Sequence, residues 1–159
     1  GEKTYNIEIA AGLLDQIGAK ARVLSQAVKA AIISDSNVDP LYGERLERSL
    51  AASGFEVTRI VFAAGEQSKN LTVLGQVYDE LARAGLTRSD LILTLGGGVP
   101  GDLGGFAAAT FLRGIDFIQV PTSLLAQIDS SVGGKVAIDL PSGKNLAGSF
   151  YQPKAVFIN

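Results

Sequence analysis

Hydrophobic residues recur with two different periods along this chain of 159 residues, and the two periods predict strands and helices in turn. Alternating or continuous apolar runs predict strands near residues 5–9, 30–34, 55–62, 91–95, 116–120, 135–139 and 155–158. Helical spacing predicts helices near residues 13–24, 40–50, 71–81 and 124–132, and another after the glycines at 96–98. This alternation indicates one α/β domain over residues 1–159, with a Rossmann-like open, mainly parallel sheet flanked by helices.

The most informative segment runs from Leu91 to Arg113 and has the sequence LILTLGGGVPGDLGGFAAATFLR. Its apolar run ends at three consecutive glycines, and a glycine- and alanine-rich stretch with helical spacing follows. A strand, a glycine turn and a helix in this order present backbone N–H groups to a phosphate. Gly96, Gly98 and Gly101 also satisfy the pattern G-x-G-x-x-G of dinucleotide sites. The segment therefore predicts a nucleotide-cofactor site.

The position of these glycines differs from that in the usual dinucleotide site. There, the glycine turn follows the first strand, and an acidic residue about 20 positions later ends the second strand. Here the turn follows the fourth predicted strand, and Asp116 opens the next strand instead of ending it. Asp35 ends an earlier strand and is the better candidate for a ribose contact. The motif alone leaves dinucleotide binding open.

Asp102 allows two interpretations. Pro100 suits the first helical position, which would place Asp102 in the first turn, where a carboxylate complements the helix dipole. Alternatively, Asp102 accepts a hydrogen bond from a cofactor or substrate hydroxyl. Gly104 and Gly105 favour the second interpretation, because each glycine costs a helix about 1 kcal/mol relative to alanine and suggests a close approach to the backbone. Packing of the helix on the sheet would also explain them.

A second polar cluster contains Asp129-Ser130-Ser131, Gly133-Gly134-Lys135 and Gly143-Lys144-Asn145. Lysine after glycine is suited to holding phosphate or carboxylate at an exposed turn. The alternative is that both lysines are simply solvated turn residues. If residues 135–148 form a hairpin, the two lysines lie about 13 Å apart at about 3.3 Å per residue, and they would flank a ligand. Arg113 ends the glycine helix, where a cation is common.

The composition limits the chemistry available to the chain. Its net charge of −2 predicts no nucleic-acid partner and no membrane partner. It has neither cysteine nor histidine, so any metal held by these residues would need oxygen ligands, which suits magnesium or calcium. No apolar run reaches the roughly 18 residues of a membrane span, and the start lacks the layout of a signal peptide. We therefore expect a cytoplasmic location.

The segment from Gly96 to Asn145, GGGVPGDLGGFAAATFLRGIDFIQVPTSLLAQIDSSVGGKVAIDLPSGKN, resembles the characteristic region of the 3-dehydroquinate synthase family. The resemblance continues through GSFYQP at Gly148 to Pro153 and reaches back to GEQSK at Gly65 to Lys69. It covers two thirds of the chain in specific motifs, and the remainder is compatible with it. The resemblance implies a dehydroquinate synthase-like N-terminal domain that binds NAD, within a longer enzyme.

Members of this family convert 3-deoxy-D-arabino-heptulosonate 7-phosphate to 3-dehydroquinate and phosphate, in the shikimate pathway of aromatic amino-acid biosynthesis. The resemblance implies transient oxidation of a ring hydroxyl by NAD, elimination of phosphate, reduction of the carbonyl, ring opening and intramolecular aldol closure. A transient ketone acidifies the neighbouring C–H, which makes the loss of phosphate chemically reasonable. A divalent metal, zinc or cobalt, is implied for the helical C-terminal domain of the full-length enzyme.

The resemblance also implies roles for individual residues. Cofactor contacts are expected at Asp35, Asn37, Gly65, Glu66, Gln67, Ser68, Lys69, Gly97, Gly98, Val99, Pro100, Gly101, Asp102, Thr122, Ser123, Leu125, Asp129, Ser130, Lys135 and Lys144. Catalytic roles are expected for Asp129, Lys135, Asn145 and Arg113. Arg113 matches an arginine that reaches the substrate phosphate of a neighbouring subunit, which implies a homodimer of the full-length enzyme.

Some positions depart from the family pattern. Leu140 stands where many members have histidine, so that position receives no role. The metal ligands of the family, one glutamate and two histidines, lie beyond the motif region, and this chain has no histidine and ends at Asn159. We therefore expect an N-terminal domain without metal ligands, unable to complete the reaction alone. The alternatives are another sugar phosphate cyclase, an enzyme similar to iron-dependent polyol dehydrogenases, and a non-catalytic nucleotide-binding module.

Overall fold

The computed structural model describes residues 6–10, 12–122 and 134–159 of the chain. The strands are β1 (Asn6–Ile9), β2 (Lys29–Asp35), β3 (Glu56–Phe62), β4 (Leu91–Gly96), β5 (Asp116–Pro121), β6 (Lys135–Leu140), β7 (Gly143–Phe150) and β8 (Ala155–Ile158). The helices are α1 (Ile17–Leu24), α2 (Glu44–Ala52), α3 (Leu71–Arg83) and α4 (Gly98–Thr110). Short helical turns cover Leu13–Gln16, Asp39–Gly43, Glu66–Ser68 and Phe111–Arg113.

Six of the strands form one sheet in the order β1-β8-β5-β4-β2-β3, and every pair in it is parallel. The two remaining strands, β6 and β7, form a separate antiparallel hairpin. The mainly parallel, open α/β sheet predicted from the sequence is therefore confirmed. A hairpin over residues 135–148, which the sequence left open, is present as this pair.

Helices cover both faces of the six-stranded sheet. Helices α1 and α2 pack on one face, against side chains such as Leu93 and Leu95 of β4. Helices α3 and α4 pack on the other face, against Ile92, and α4 is itself covered by Val136 and Ile138 of the hairpin. All six residues of β4 are buried, as expected of a strand with helices on both sides. Burying each large apolar side chain contributes about 1.5–3 kcal/mol, so β4 anchors the fold.

Gly104 and Gly105 allow α4 to pack tightly between the sheet and the hairpin. A Cβ atom added at Gly104 would lie 2.6 Å from Cγ2 of Thr94, and one added at Gly105 would lie 2.4 Å from Cγ1 of Val136. Both distances are shorter than carbon atoms tolerate. The close approach that the two glycines indicate is thus made by the sheet on one side and by the hairpin on the other.

The connections leave the sheet in opposite directions at its centre. Strand β2 is followed by β3 on one side, whereas β4, which lies next to β2, is followed by β5 on the other side. The register pairs Ser34 of β2 with Leu95 of β4, so the two strands end side by side. In open α/β sheets, ligands bind in the crevice at such a switch point, beyond the carboxyl ends of the strands. The topology therefore places Asp35 beside the glycine turn.

Several details differ from the sequence-based expectations. Strand β7 was not expected, and β6 pairs with it instead of joining the main sheet. Strand β1 lies at the sheet edge as predicted, but Ile7 and Ile9 are 48% and 72% exposed. The helix predicted near residues 124–132 lies outside the described residues. In the described part of the chain, no helix has the length and apolar character needed to cross a bilayer.

Candidate functional site

The glycine turn after β4 has a backbone conformation that requires glycine at its first position. Gly96 has a φ of +139°, and a Cβ atom there would lie 2.9 Å from Cγ of Pro100 and 3.4 Å from Cγ2 of Val38. The N–H of Thr122, just after β5, donates to the Gly96 carbonyl over 3.0 Å. The turn is therefore enclosed by the residues that follow β2 and β5.

Helix α4 begins at Gly98, and among the described residues no side chain caps its N-terminus. The prediction that Pro100 opens the helix is wrong, because Pro100 is the third helical residue. Proline is tolerated there because the first-turn N–H groups have no partner within the helix. Asp102 consequently lies beyond the first turn, which removes the main argument that it serves only the helix dipole. The exposed N–H groups at Gly98 and Val99 remain available to an anion.

Asp35 organises the loop after β2. Its carboxylate is buried, and Oδ1 accepts hydrogen bonds from the backbone N–H groups of Asn37 and Val38, each over 2.9 Å. Ser36 in turn accepts a hydrogen bond from the N–H of Ala64, over 2.9 Å, which joins this loop to the one after β3. Asn37 is exposed at the mouth of the crevice. Asp35, the predicted ribose contact, thus lies at the carboxyl edge of the sheet, next to the glycine turn.

The third wall of the crevice is the turn from Gly65 to Lys69. Gly65 has a φ of +118°, and the side-chain amide of Gln67 folds back to donate to the Ala64 carbonyl over 2.9 Å. The hydroxyl of Ser68 is buried and donates to the Ala63 carbonyl over 2.5 Å. These bonds fix the turn locally, and they orient the Lys69 side chain towards α4.

Lys69 is the centre of the polar network in the site. Its side chain is 5% exposed, and Nζ donates to Oδ2 of Asp102 over 2.7 Å and to Oδ1 of Asn145 over 2.6 Å. Glu66 Oε1 lies 3.8 Å from the same nitrogen. A buried ammonium group needs such partners, because an unpaired charge is strongly unfavourable away from water. Lys69 therefore joins three segments that are distant in the sequence.

Glu66 interacts with a second carboxyl group, that of Asp139. A hydrogen bond with Asp139, together with burial, raises the pKa of Glu66, and the positive charge of Lys69 opposes the rise. The pKa of Asp139 is lowered, first because the backbone N–H of Asn145 donates to it and then because Glu66 does. The two shifts have opposite directions, so Glu66 is the member of the pair that keeps its proton to higher pH.

A cavity of about 570 Å³ opens beside this carboxyl pair. Its lining includes Lys69 and Asp139 together with the apolar side chains of Leu71, Leu140 and Pro141. Its volume lies within the range of about 300–1,000 Å³ that is typical of small-ligand pockets. A mixed apolar and charged lining of this size suits a polar organic ligand.

Of the other predicted site residues, Arg113 and Lys135 do not join this cluster, whereas Lys144 acts on it through its charge, which lowers the pKa of Glu66 and that of Asp139. Arg113 lies beyond the far end of α4, which at about 1.5 Å per residue places it roughly 20 Å from the glycine turn. Lys135 and Lys144 are both exposed and lie at opposite ends of the hairpin, because Lys135 pairs with Phe150 whereas Lys144 follows the turn. The predicted roles of Ser123, Leu125, Asp129 and Ser130 lie outside the described residues.

Asp139 is the one member of the network that the sequence analysis did not select. It ends an alternating strand pattern just before the Leu-Pro-Ser-Gly turn. Aspartate in this position commonly bonds to backbone N–H groups of a following turn. That local signal was present in the sequence, but Glu66, with which Asp139 interacts, is 73 positions away (139 − 66 = 73). Among the described residues, no group of three or more His, Cys, Asp or Glu side chains is arranged to hold a metal ion.

Comparison with known proteins relates this geometry to a family. A sequence profile described as 3-dehydroquinate synthase N-terminal matches residues 59–159. The 3-dehydroquinate synthase of Clostridium acetobutylicum is 57% identical over 159 residues, which are 100% of this chain and 45% of that protein. The chain therefore spans less than half the length of the curated relatives that it matches.

Solved structures show the same fold. A 2-deoxy-scyllo-inosose synthase complexed with carbaglucose-6-phosphate, NAD+ and Co2+ is 30% identical, with a TM-score of 0.91 over 99% of this chain and 43% of that one. A 2-epi-5-epi-valiolone synthase from Streptomyces hygroscopicus with NAD+ and Zn2+ is 28% identical, with a TM-score of 0.85 over 100% of this chain and 44% of that one. Both are sugar phosphate cyclases, which agrees with the parallel sheet and the polar crevice described above.

Proposed function

Because the chain belongs to the 3-dehydroquinate synthase family, we propose that it is the NAD-binding part of a 3-dehydroquinate synthase. The reaction assigned to the complete enzyme converts 3-deoxy-D-arabino-heptulosonate 7-phosphate to 3-dehydroquinate and phosphate. The observation that carries the proposal is the uncapped N-terminus of α4 at the switch point of the sheet, directly beside Asp35. Such an N-terminus attracts a pyrophosphate through its free N–H groups and the positive end of the helix dipole.

The pyrophosphate is assigned to the glycine turn, at Gly97, Gly98 and Val99, with Pro100 and Gly101 completing the cradle. A Cβ atom added at Gly98 would meet nothing within 4 Å, so the backbone there faces open space that a phosphate could occupy. Asp35 and Asn37 are assigned to the ribose of the adenosine half. The turn from Gly65 to Lys69 and the residues Thr122, Ser123 and Leu125 are assigned to the remaining cofactor surface.

The network around Lys69 is assigned to the end of the site where chemistry occurs. Asp102 and Asn145 hold the ammonium group in a fixed position through two of its three N–H groups, so the third can be offered to a ligand oxygen. A bound NAD would supply a hydride acceptor for a substrate hydroxyl, and the ketone formed would acidify the neighbouring C–H so that phosphate can leave. The chain's own contribution is to bind, to orient and to balance charge.

Contacts around the nicotinamide and the substrate are assigned to Asp129, Lys135, Lys144 and Asn145, and Ser130 is assigned to the cofactor. The two lysines at opposite ends of the hairpin would provide positive charge for a phosphorylated, carboxylated substrate. Arg113 is assigned to the substrate phosphate of a neighbouring subunit, in a homodimer of the complete enzyme. Its place beyond the far end of α4 supports a role outside this chain's own crevice.

The metal, zinc or cobalt, is assigned to residues of a helical C-terminal domain outside this sequence. By itself, the 159-residue chain is proposed to bind NAD without completing the reaction, and the complete enzyme is proposed to be cytoplasmic. Another sugar phosphate cyclase is less well supported as an identity. The 57% identity to a named 3-dehydroquinate synthase exceeds the 30% identity to the inosose synthase.

The proposal is tested by titration calorimetry of the chain with NAD, using two matched glycine substitutions. Gly98→Ala places a methyl group in the proposed pyrophosphate cradle, and Gly75→Ala places one on α3, and neither added Cβ meets an atom within 4 Å. We expect Gly98→Ala to weaken NAD binding at least about tenfold, because the backbone could no longer approach the phosphate. Gly75→Ala should leave the Kd unchanged and raise stability by up to about 1 kcal/mol.

Equal affinity of the two variants would contradict the assignment of the cradle. Failure of the unsubstituted chain to bind NAD at millimolar concentration would contradict the assignment of a competent cofactor site to this chain, and would leave a folded scaffold without such a site.

A further inference from the structure

The β6–β7 hairpin carries an irregularity beside the polar network. Ile138 pairs with Ala147, but Leu140 pairs with Gly143, so one residue on β6 faces three on β7. The single residue is Asp139, and the three are Lys144, Asn145 and Leu146. Bulges of this kind redirect a side chain and are often found beside active sites. Here the redirected side chain is that of Asn145, whose φ is +55°.

Asp139 supplies the bonds that the bulge removes from the ladder. Its carboxylate Oδ1 accepts the backbone N–H of Asn145 over 2.8 Å. Its own backbone N–H donates to the carbonyl of Lys69 over 2.8 Å. The first bond holds the bulge in its left-handed conformation, which asparagine tolerates better than most residues do. The second bond ties the hairpin to the Glu66–Lys69 turn.

These bonds form a closed circuit through Lys69. Lys69 Nζ donates to the Asn145 side chain, the Asn145 backbone donates to Asp139, and the Asp139 backbone donates to the Lys69 carbonyl. Because a circuit fixes each member relative to the others, loss of one bond frees the bulge to relax. The exposed Asn145 would then have little else among these bonds to hold its side chain against Lys69.

We propose that Asp139 is a positioning residue: it holds the β7 bulge so that Asn145 faces Lys69, and it links the hairpin to the turn from Gly65 to Lys69, first through its bond to the Lys69 carbonyl and then through Glu66. The claim about the bulge stands on geometry alone. The claim that the bulge matters for ligand binding rests on the proposed function. The two claims need separate measurements.

The contact with Glu66 makes this link dependent on pH. The groups that face Asp139 are Glu66, Lys69 and Lys144, and Asp102 lies on the other side of Lys69. Glu66 has a raised pKa in the folded chain, so its bond to Asp139 is complete below the usual pKa of glutamate and is lost as the pH rises through the raised value. Asp139 has a lowered pKa, so its ionised form persists when the pH falls below the usual value for aspartate.

The test compares Asp139→Ala and Asp139→Asn in the 159-residue chain, with Asp15→Asn as control for the loss of one aspartate charge. Asp15 is an exposed aspartate that pairs with Arg45 on the opposite face of the sheet. The first measurement is hydrogen exchange of the Asn145 backbone amide by NMR. We expect exchange at least about tenfold faster in Asp139→Ala, the factor expected for loss of one hydrogen bond. The asparagine variant retains an acceptor oxygen and should keep protection.

The second measurement is the titration of the Glu66 carboxyl group by carbon NMR. In the original chain and in Asp15→Asn the pKa of Glu66 should be raised. In Asp139→Asn it should return towards its usual value, because the amide carries no negative charge and its N–H groups can donate to the ionised Glu66 carboxylate. Unchanged Asn145 exchange in Asp139→Ala, or an unchanged Glu66 titration in Asp139→Asn, would overturn the proposal. If the alanine variant fails to fold, the asparagine variant still decides through Glu66.

The third measurement is the Kd for NAD, which addresses the link to function. Where the original chain binds NAD, Asp139→Ala should weaken binding by about fivefold or more, whereas Asp15→Asn should not. Equal affinity despite faster Asn145 exchange would overturn the link between the bulge and binding. Absence of NAD binding in the original chain would instead contradict the proposed function, and the exchange and titration data would still decide the role of Asp139.

Discussion

Replacing Asp102 by asparagine removes one charge from the pair that holds Lys69. The substitution keeps the size of the side chain and one acceptor oxygen, so the change is mainly electrostatic. Lys69 would retain Asn145 and the more distant Glu66, whose Oε1 lies 3.8 Å away. The free energy of unfolding of this variant therefore measures how much the Lys69–Asp102 ion pair stabilises the chain.

The magnitude follows from the distance and the exposure of the two groups. At the observed 2.7 Å, the attraction would be about 6 kcal/mol at an effective dielectric constant near 20 and about 1.5 kcal/mol in bulk water. The Lys69 side chain is 5% exposed and that of Asp102 is 34% exposed, so the effective value lies between these limits. With the amide oxygen and Glu66 still present, we expect a loss of about 2 kcal/mol in the free energy of unfolding.

The assay is a double-mutant cycle with Lys69→Met, followed by urea and thermal unfolding at pH 7. A loss of about 2 kcal/mol corresponds to a fall of about 4–8 °C in the midpoint for a chain of this size. In the Lys69→Met background, Asp102→Asn should cost less than about 0.5 kcal/mol, because no buried ammonium group remains to be stranded. The cycle therefore separates the ion pair from any general disturbance of α4.

Asp116→Asn serves as the matched control. Asp116 lies 3.7 Å from Lys154, and their side chains are 55% and 46% exposed. An exposed pair of this kind contributes about 0–1 kcal/mol, so this variant should be nearly neutral. If Asp102→Asn lowered the free energy of unfolding equally in the original chain and in Lys69→Met, the reasoning would be refuted, because Asp102 and Lys69 would then have no energetic coupling.

Two further predictions concern packing and pH. Gly105→Ala should lower the free energy of unfolding by about 1–3 kcal/mol despite the better helix propensity of alanine, because its Cβ would lie 2.4 Å from Cγ1 of Val136. Measured by urea unfolding, the additional substitution Val136→Ala should recover part of that loss. Burial opposes ionisation of Asp90, but hydrogen bonds from the backbone N–H groups of Lys29 and Thr87 lower its pKa. The resulting stability is present above the usual pKa of aspartate and is lost as the pH falls through the lowered value. Asp90→Ala should therefore reduce the free energy of unfolding by about 2 kcal/mol at neutral pH, and the stability of the variant should fall less steeply below about pH 4. An equally steep loss of stability in acid would contradict this.

The central strand, the glycine turn and α4 could be predicted from the sequence because their signals are local. A continuous apolar run, three glycines and helical spacing follow one another without interruption from Leu91 onward. The start of α4 was misplaced by two residues (100 − 98 = 2), since Pro100 was expected to open it and Gly98 does. Proline is common at the first helical position, whereas three consecutive glycines do not indicate which of them precedes the helix.

The network around Lys69 could be predicted only in part. The family resemblance implied roles for Lys69, Asp102 and Asn145, but nothing local showed that the three side chains bond to one another. Strand β7, GKNLAGSF, was missed because it contains two glycines and no regular alternation. It becomes a strand through its pairing with β6, which is a tertiary effect. Asp139 was missed for the same reason, because its role depends on the bulge across the hairpin.

The most direct test of the central claim is amide chemical-shift mapping of the 159-residue chain during titration with NAD. The account predicts that the largest changes occur at Gly97, Gly98 and Val99, with further changes at Asp35 and Asn37, across the carboxyl ends of β4 and β2. Saturating changes confined to other surfaces, or none at these amides at millimolar NAD, would contradict the assignment of the cofactor to the N-terminus of α4.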